Sequence, residues 1–528
     1  MNKPSRGSPG PDGTLPQALL RPQAWPGGEA PVELVETHIS WVFLVGDFAY
    51  KVKKPVRLDF LDFSTPALRR HFCEEELRLN RRYAPQLYLG LSTVVSTGQG
   101  LAVDAPGQVI DHAVRMRRFD REEELDALLR RDAAAGELLE EFGQRLAGQH
   151  ETAPPAGQDQ PWAHPGRTLE ACRENFSELR RLGDEPTRDR VEALAAWTER
   201  RFGELAPRFE RRLRAGRFRE CHGDLHCANV VRHEGRLWGF DALEFDPGLN
   251  WIDVASDLAF LSMDLRARGH PGLAAALVDG WLAASGDFDA LGVLRFYESY
   301  RAGVRAKVGA IRRSQHPSRG ETDRAQMEHY LSCATDAARD RQPRLVVMTG
   351  VSGSGKSWLA RRLLEPLEAI RLRSDVERKR LAGLAAGEAS DGTIYSPAMT
   401  RQTYSRLEQL ARGALQDGFS TVIDAACLKA GERRRFAQLA RALDVPFRLV
   451  SLESRRETLL GRIRDRAARG GDPSEATAGV LDHQLEVAEP LQPDEAADVL
   501  VVQAGDDIDV GHVVRRLLAG TAADAASG

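Results

Sequence analysis

Two rhythms of apolar and polar residues divide the chain. From residue 345 onward short apolar runs alternate with amphipathic stretches of helical length: LVVMT at 345–349, STVID at 420–424, FRLVSL at 447–452 and DVLVV at 498–502, with a weaker IRLR at 370–373. That alternation predicts a five-stranded parallel sheet with helices on both faces, an α/β domain. Residues 32–118 follow a different pattern. β-Forming runs at 39–45 and 48–53 flank the turn pair Gly46-Asp47, a hairpin signal. A helix is expected over about 65–82, with Phe72, Leu77 and Leu79 as its apolar positions, and further strands over 91–117. Residues 121–340 read as mostly helical, broken by a Pro/Gly-rich loop at 152–167. The first 31 residues, rich in Pro and Gly, read as a disordered tail. The expected division is therefore a tail over 1–31, an α+β domain over 32–340 and an α/β domain over 341–528, joined through the charged stretch 337–344.

A chain of 528 residues exceeds one ordinary hydrophobic core, which agrees with two large domains. Its 42% apolar and 28% charged residues are the balance of a globular protein in water. No apolar run is long enough to cross a bilayer and no apolar signal core opens the chain, so no membrane partner and a cytoplasmic location are expected. The six cysteines are scattered, and reduced thiols are the plain reading. A formal charge of −4, from 73 basic and 77 acidic residues, supplies no global attraction to nucleic acid.

The strand at 345–349 runs into Gly350-Val351-Ser352-Gly353-Ser354-Gly355-Lys356-Ser357, a complete GxxxxGKS loop. Leu359, Leu363 and Leu367 then recur at helical spacing, so the motif has its strand-loop-helix context. Glycines let successive backbone N–H groups converge on phosphate oxygens at a helix N-terminus. Lys356 is placed to reach the β- and γ-phosphates and Ser357 to hold Mg²⁺. Downstream, Arg373-Ser374-Asp375-Val376-Glu377-Arg378 has a DxxR spacing after the second strand. Here the chain resembles small P-loop kinases such as polynucleotide and gluconate kinases. That resemblance implies Asp375 as the carboxylate facing the acceptor hydroxyl and Arg378 as a substrate or phosphate contact. A bare helix N-terminus, where Asp is favoured by the dipole, is the competing account. Asp424, ending the strand STVID, looks like the residue holding the Mg²⁺ shell. Arg462 and Arg466, four apart on one helix face, resemble the arginine-bearing lid of such kinases; a solvated Arg-rich helix is the alternative.

Earlier in the chain, His222-Gly223-Asp224-Leu225-His226-Cys227-Ala228-Asn229 reads HGDxHxxN, followed by Phe240-Asp241. Protein-kinase-like transfer needs a carboxylate beside the acceptor hydroxyl and two metal ligands nearby. The surroundings, CHGDLHCANVV, GFDALEF and WIDVASDLAFL, resemble the aminoglycoside phosphotransferase superfamily. The resemblance implies Asp224 as base, Asn229 and Asp241 as Mg²⁺ ligands, Asp257 as a support of the lobe and His222 as an orienter of the loop. It also implies a strand lysine paired to a helix glutamate, for which Lys51 and Glu76 fit. Lys53 shares the strand face of Lys51, which leaves the lysine open between the two. No GxGxxG loop precedes this strand. A zinc site from Cys221, His222, His226 and Cys227 is a rival, though four ligands within seven residues wrap an ion poorly and leave Gly223, Asp224 and Asn229 without a role.

Together the modules resemble the bifunctional aminoglycoside phosphotransferase/ATP-binding family: a bilobal protein-kinase-like domain followed by a P-loop kinase domain. The resemblance implies two Mg·ATP sites, each transferring a γ-phosphoryl group to a hydroxyl of a small molecule. A regulatory ATPase with one non-catalytic module and a kinase of nucleic-acid ends are the alternatives; the near-neutral charge weighs against the latter. Fold is specified more strongly than acceptor, and oligomeric state is left open.

Overall fold

The computed structural model describes residues 15–58, 61–157, 160, 162–315, 320–386, 388–390, 393–469, 477–504 and 508–519, without the side chains of 393 and 466–469. The chain forms two compact units: Met1–Ala134 with Gln149–Ala171 and Ala206–Leu261, and Ala135–Gly148 with Cys172–Leu205 and Ser262–Gly528.

The first unit is built on a six-stranded antiparallel sheet. Its order is Val32–Glu36, Ser40–Val45, Phe48–Lys53, Gln108–Arg117, Tyr88–Thr97, Gly100–Val103. The hairpin expected around Gly46-Asp47 forms with Val45 opposite Phe48. Alternation puts buried Tyr50 and Val52 on one face, in the apolar cluster, and Ala49, Lys51 and Lys53 on the other, while Phe48 at the strand's start is exposed. The helix Pro66–Tyr83 starts on a Thr65 cap whose Oγ1 accepts the Leu68 N–H at 3.2 Å, with Pro66 in the first turn. Cys73, Glu76, Leu79 and Tyr83, three to four apart, form its buried face. The tail expected over 1–31 is corrected from Leu15 onward; residues 1–14 lie outside the described set. Leu15–Leu19 is a short helix, and Trp25 packs at 5.4 Å from Phe43 and 4.6 Å from Tyr50 while donating its indole N–H to the Leu19 carbonyl at 2.7 Å. Trp25, Leu19 and Leu15 join one apolar cluster with the strand residues Phe43, Tyr50 and Val52, a local concentration that composition averaged over the Pro/Gly-rich segment conceals. The hairpin Val230–His233 with Arg236–Gly239, and the strand pair Phe218–Glu220 with Trp251–Asp253, frame the HGD loop.

The second unit holds the expected five-stranded parallel sheet, in the order Ala369–Arg373, Ser420–Asp424, Leu345–Thr349, Phe447–Glu453, Val499–Gln503. The central strand Leu345–Thr349 is buried along its whole length, which is why it reads as a continuous apolar run. Its core joins Val346, Met348, Leu359, Leu363 and Val450 to Ala275, a residue of the helix Pro271–Ser285 far upstream in sequence. That helix approaches its neighbours closely because it carries glycine: a Cβ on Gly280 would come within 2.1 Å of the Glu140 carbonyl oxygen. Arg371, in the edge strand, is buried and forms ion pairs with Asp279 at 2.8 Å and Glu140 at 3.2 Å. Among the described residues no helix is long and apolar enough to cross a membrane.

Candidate active sites

In the first unit five charged side chains alternate in sign along a row: Asp241, Lys51, Glu76, Lys53, Glu244. The Lys51 Nζ lies 2.5 Å from Asp241 Oδ1 and 2.8 Å from Glu76 Oε1, and Lys53 Nζ lies 2.7 Å from Glu76 Oε2 and pairs with Glu244. Lys51 and Lys53 point the same way because strand side chains repeat every second residue. Burial opposes the Lys51 charge, but Asp241, Glu76 and Glu244 overcome it and hold its pKa well above the ordinary lysine value. Burial likewise pushes Glu76 up, and the two lysines outweigh it and hold its carboxyl below the usual range. Glu244 moves the other way, raised by burial despite Lys53. Both lysines thus contact Glu76, and they differ in depth: Lys51 also meets half-exposed Asp241, whereas Lys53 is enclosed with Glu244.

The HGD loop is tied down by backbone bonds to buried carboxylate. Asp257 accepts the N–H groups of His222 at 3.1 Å and Gly223 at 2.9 Å, with His150 Nε2 3.2 Å from the same carboxylate. Gly223 has φ +83°, and a Cβ there would meet the Leu249 carbonyl at 2.8 Å, so glycine is required. His222 donates from Nε2 to the Phe240 carbonyl at 2.9 Å, and burial lowers its pKa, which keeps the ring neutral. Asn229 Nδ2 donates to Asp224 Oδ2 at 3.1 Å and to its carbonyl at 2.9 Å, bringing these two predicted residues together. Asp224 is one-third exposed. Asp241 sits in the left-handed region, φ +61°, held by its N–H donating to Tyr88 Oη at 3.0 Å and by the neighbouring Ala242 N–H donating to Asn80 Oδ1 at 2.9 Å. The zinc alternative does not assemble: among the described residues the grouping within ligand reach is His150, Cys221 and Asp257, already engaged by the loop amides.

In the second unit Lys356, Ser357, Asp375, Arg378, Asp424 and Arg462 all line one cavity of about 270 Å³, together with Ser352, Gly353 and Gly355. Gly350 and fully buried Ser354 lie outside that lining and shape the loop from behind. Gly350, Gly353 and Gly355 all have positive φ, and a Cβ on Gly353 would stand 2.7 Å from the Leu459 carbonyl. Lys356 Nζ donates to the Val351 carbonyl at 2.8 Å, and Ser357 Oγ donates to Asp424 Oδ1 at 3.0 Å. Asp424 Oδ2 is buried with no hydrogen-bond partner and lies 3.7 Å from Arg373 Nε. Arg378 is fixed by donating from Nη1 to the Ile394 carbonyl and to Thr400 Oγ1, both at 3.1 Å, with its guanidinium 5.3 Å from the Tyr395 ring. Arg462 Nη1 reaches the Gly353 carbonyl at 3.5 Å; the Arg466 side chain lies outside the described residues.

The hard oxygen donors suit Mg²⁺. Asp424 offers an unbonded buried carboxylate oxygen beside the Ser357 hydroxyl, and Asn229 and Asp241 offer an amide oxygen and a half-exposed carboxylate. Sequence reasoning missed Glu244, which pairs with Lys53; Asn80 and Tyr88, which hold the backbone at 241–242; and Gln484, whose Oε1 accepts the Ser352 N–H at 2.7 Å. Glu244 alone had a signal, three residues after Asp241; nothing in the sequence joins Gln484 to a loop 132 residues away.

Comparison with known proteins matches residues 60–297 to the phosphotransferase enzyme family and residues 345–491 to an AAA domain. An uncharacterized protein of Mycobacterium tuberculosis and one of Mycobacterium bovis are each 30% identical over 458 residues, spanning 85% of this chain and 88% of theirs. The chain belongs to one family with these two proteins. It is an ATP-dependent phosphotransferase, with a kinase-like domain preceding a P-loop kinase domain. Among solved structures, a gluconokinase from Sinorhizobium meliloti is 21% identical, covering 35% of this chain and 95% of its own, with a TM-score of 0.25. A choline/ethanolamine kinase family protein from Mesorhizobium loti is 14% identical, covering 62% of this chain and 99% of its own, with a TM-score of 0.38.

Proposed function

We propose that both modules are kinases, each binding Mg·ATP and passing the γ-phosphoryl group to a hydroxyl of a small molecule, with 32–340 and 341–528 as the functional division. In the first module Asp224 is the base, Asn229 and Asp241 hold the metal, and Lys51, braced by Glu76, meets the phosphates. Its contact with half-exposed Asp241 favours Lys51 over Lys53, which is sealed against Glu244. In the second, Lys356 and the loop amides take the phosphates, Ser357 and Asp424 the metal, Asp375 the acceptor hydroxyl, Arg378 the acceptor or its phosphate, and Arg462, with Arg466, the phosphoryl in flight.

The observation that carries this reading is Asp375 opening into the same cavity as Lys356, Ser357 and Asp424. An ATP-driven switch needs no acceptor-side carboxylate and anchored arginine there; a kinase does. The test is phosphorus NMR of the full chain with ATP, Mg²⁺ and a bacterial metabolite extract. New phosphate-ester resonances, reduced separately by Asp224→Asn and Asp375→Ala, are expected. ATP consumption yielding only inorganic phosphate would turn the reading to a regulatory ATPase.

A further inference from the structure

A second cavity in the larger unit, about 180 Å³, lies away from the P-loop and is lined by Arg266, Arg295 and Arg341 with Glu298, Glu368 and Asp336. The charges balance by count but not by contact. Glu368 is paired with Arg266 at 2.6 Å and reaches Arg341 only at 4.0 Å. Glu298 accepts from Ser262 Oγ at 2.6 Å and stands 3.5 Å from Arg266. Asp336 is paired with Arg339 at 2.9 Å. Glu368 is therefore engaged chiefly by Arg266, Glu298 by Ser262 and Asp336 by Arg339.

Arg295 has no carboxylate ion pair among the described residues. It donates from Nη2 to the Gly418 carbonyl at 3.1 Å, lies 4.4 Å over the Phe419 ring, and keeps a buried Nε with no hydrogen-bond partner. Burial depresses its pKa to about 10 against the pull of Glu298, and the neighbouring Arg266 and Arg341 add to the depression. A half-buried cation whose Nε is sealed from water without a partner is completed by an anion. Guanidinium forks match the oxygens of a tetrahedral oxyanion better than those of any neutral ligand.

We propose that this cavity binds a phosphate group, free or as a small monoester, on Arg295 and Arg341, at a site separate from both ATP centres. A kinase releases phosphorylated product, so a phosphate site beside the P-loop domain can report product level to it.

The test uses the full chain with Lys356→Ala, which removes phosphate binding by the P-loop. Its melting temperature is followed against inorganic phosphate and, separately, glycerol 3-phosphate. A saturable rise is expected, with half-saturation weakened at least about tenfold by Arg295→Gln and by Arg341→Gln. A lower half-saturation for glycerol 3-phosphate identifies a monoester as the ligand; an equal or higher one identifies free phosphate. Arg341→Gln leaves the Gly418 bond and the Phe419 stacking in place, so it decides the matter should Arg295→Gln not fold. No saturable rise, or a rise with unchanged half-saturation in Arg341→Gln, overturns the proposal.

Discussion

The two candidate ATP centres are built of different materials. In the P-loop half the cradle is backbone: three glycines at positive φ, a helix start, and one lysine tied to its own loop through the Val351 carbonyl. In the kinase-like half the candidate site is a row of side chains, five alternating charges drawn from a strand, a helix and the segment after a hairpin. A backbone site is contiguous and forgiving of its surroundings. A side-chain site depends on tertiary folding to bring each charge to its partner, and a missing member leaves its neighbours buried and unpaired.

Acceptor-side carboxylates give the largest expected break in the comparison. Asp224→Asn is expected to cut transfer by the first module about 10²–10⁴-fold, the ordinary worth of a general base, while leaving ATP affinity nearly unchanged. Single-turnover kinetics in the Lys356→Ala background isolate that module. Unaltered turnover would remove Asp224 from the role of base, and no transfer by either protein would make the first module a nucleotide sensor.

Next in size is the contrast between the two lysines. Lys53→Met leaves Glu244 and one oxygen of Glu76 buried without a cation, a loss of about 3–5 kcal/mol in urea unfolding. Lys51→Met is expected to destabilise less, because Asp241 can turn to water, yet to abolish ATP binding by the first module in calorimetry. The reverse order would assign the phosphates to Lys53.

On the P-loop side, Gly353→Ala forces a methyl to within 2.7 Å of the Leu459 carbonyl at a φ of +81°. Strain of about 1–3 kcal/mol follows, and ATP affinity of the second module is expected to fall roughly tenfold to hundredfold with the first module untouched.

The smallest effect is in acid. Burial lowers the His222 pKa, so as pH falls the unfolded chain takes up that proton first. The stability from its neutral ring is fully present above the ordinary value of 6.5 and is lost as pH drops below it, by at most about 1.4 kcal/mol per pH unit. Replacing His222 by Gln should flatten that slope between pH 6.5 and lower values in thermal melts.

The difference between backbone and side-chain sites also explains what the sequence makes legible. GxxxxGKS reads directly because loop and ligands are neighbours in the chain, and the central strand reads because it is a buried apolar run. HGDxHxxN was readable for the same local reason, whereas Lys51 came only with the family resemblance. Choosing between Lys51 and Lys53 was not, since a period of two treats them alike and only Glu244 and Asp241 separate them. Trp25 was hidden inside a stretch whose composition says tail, and Gln484 was hidden by distance along the chain.

Arg371 has a consequence for inheritance. Its charge is neutralised by Asp279 and Glu140, and Ala275 helps fill the core under the P-loop, all three upstream of residue 341. A gene split at the domain junction would hand the P-loop half a buried arginine with no counter-ion, a penalty of about 3–5 kcal/mol before any lost apolar cover is counted. Replacing that half by a free-standing small kinase would strand Asp279 and Glu140 in turn. The P-loop half thus draws its charge balance and part of its core from residues encoded far upstream.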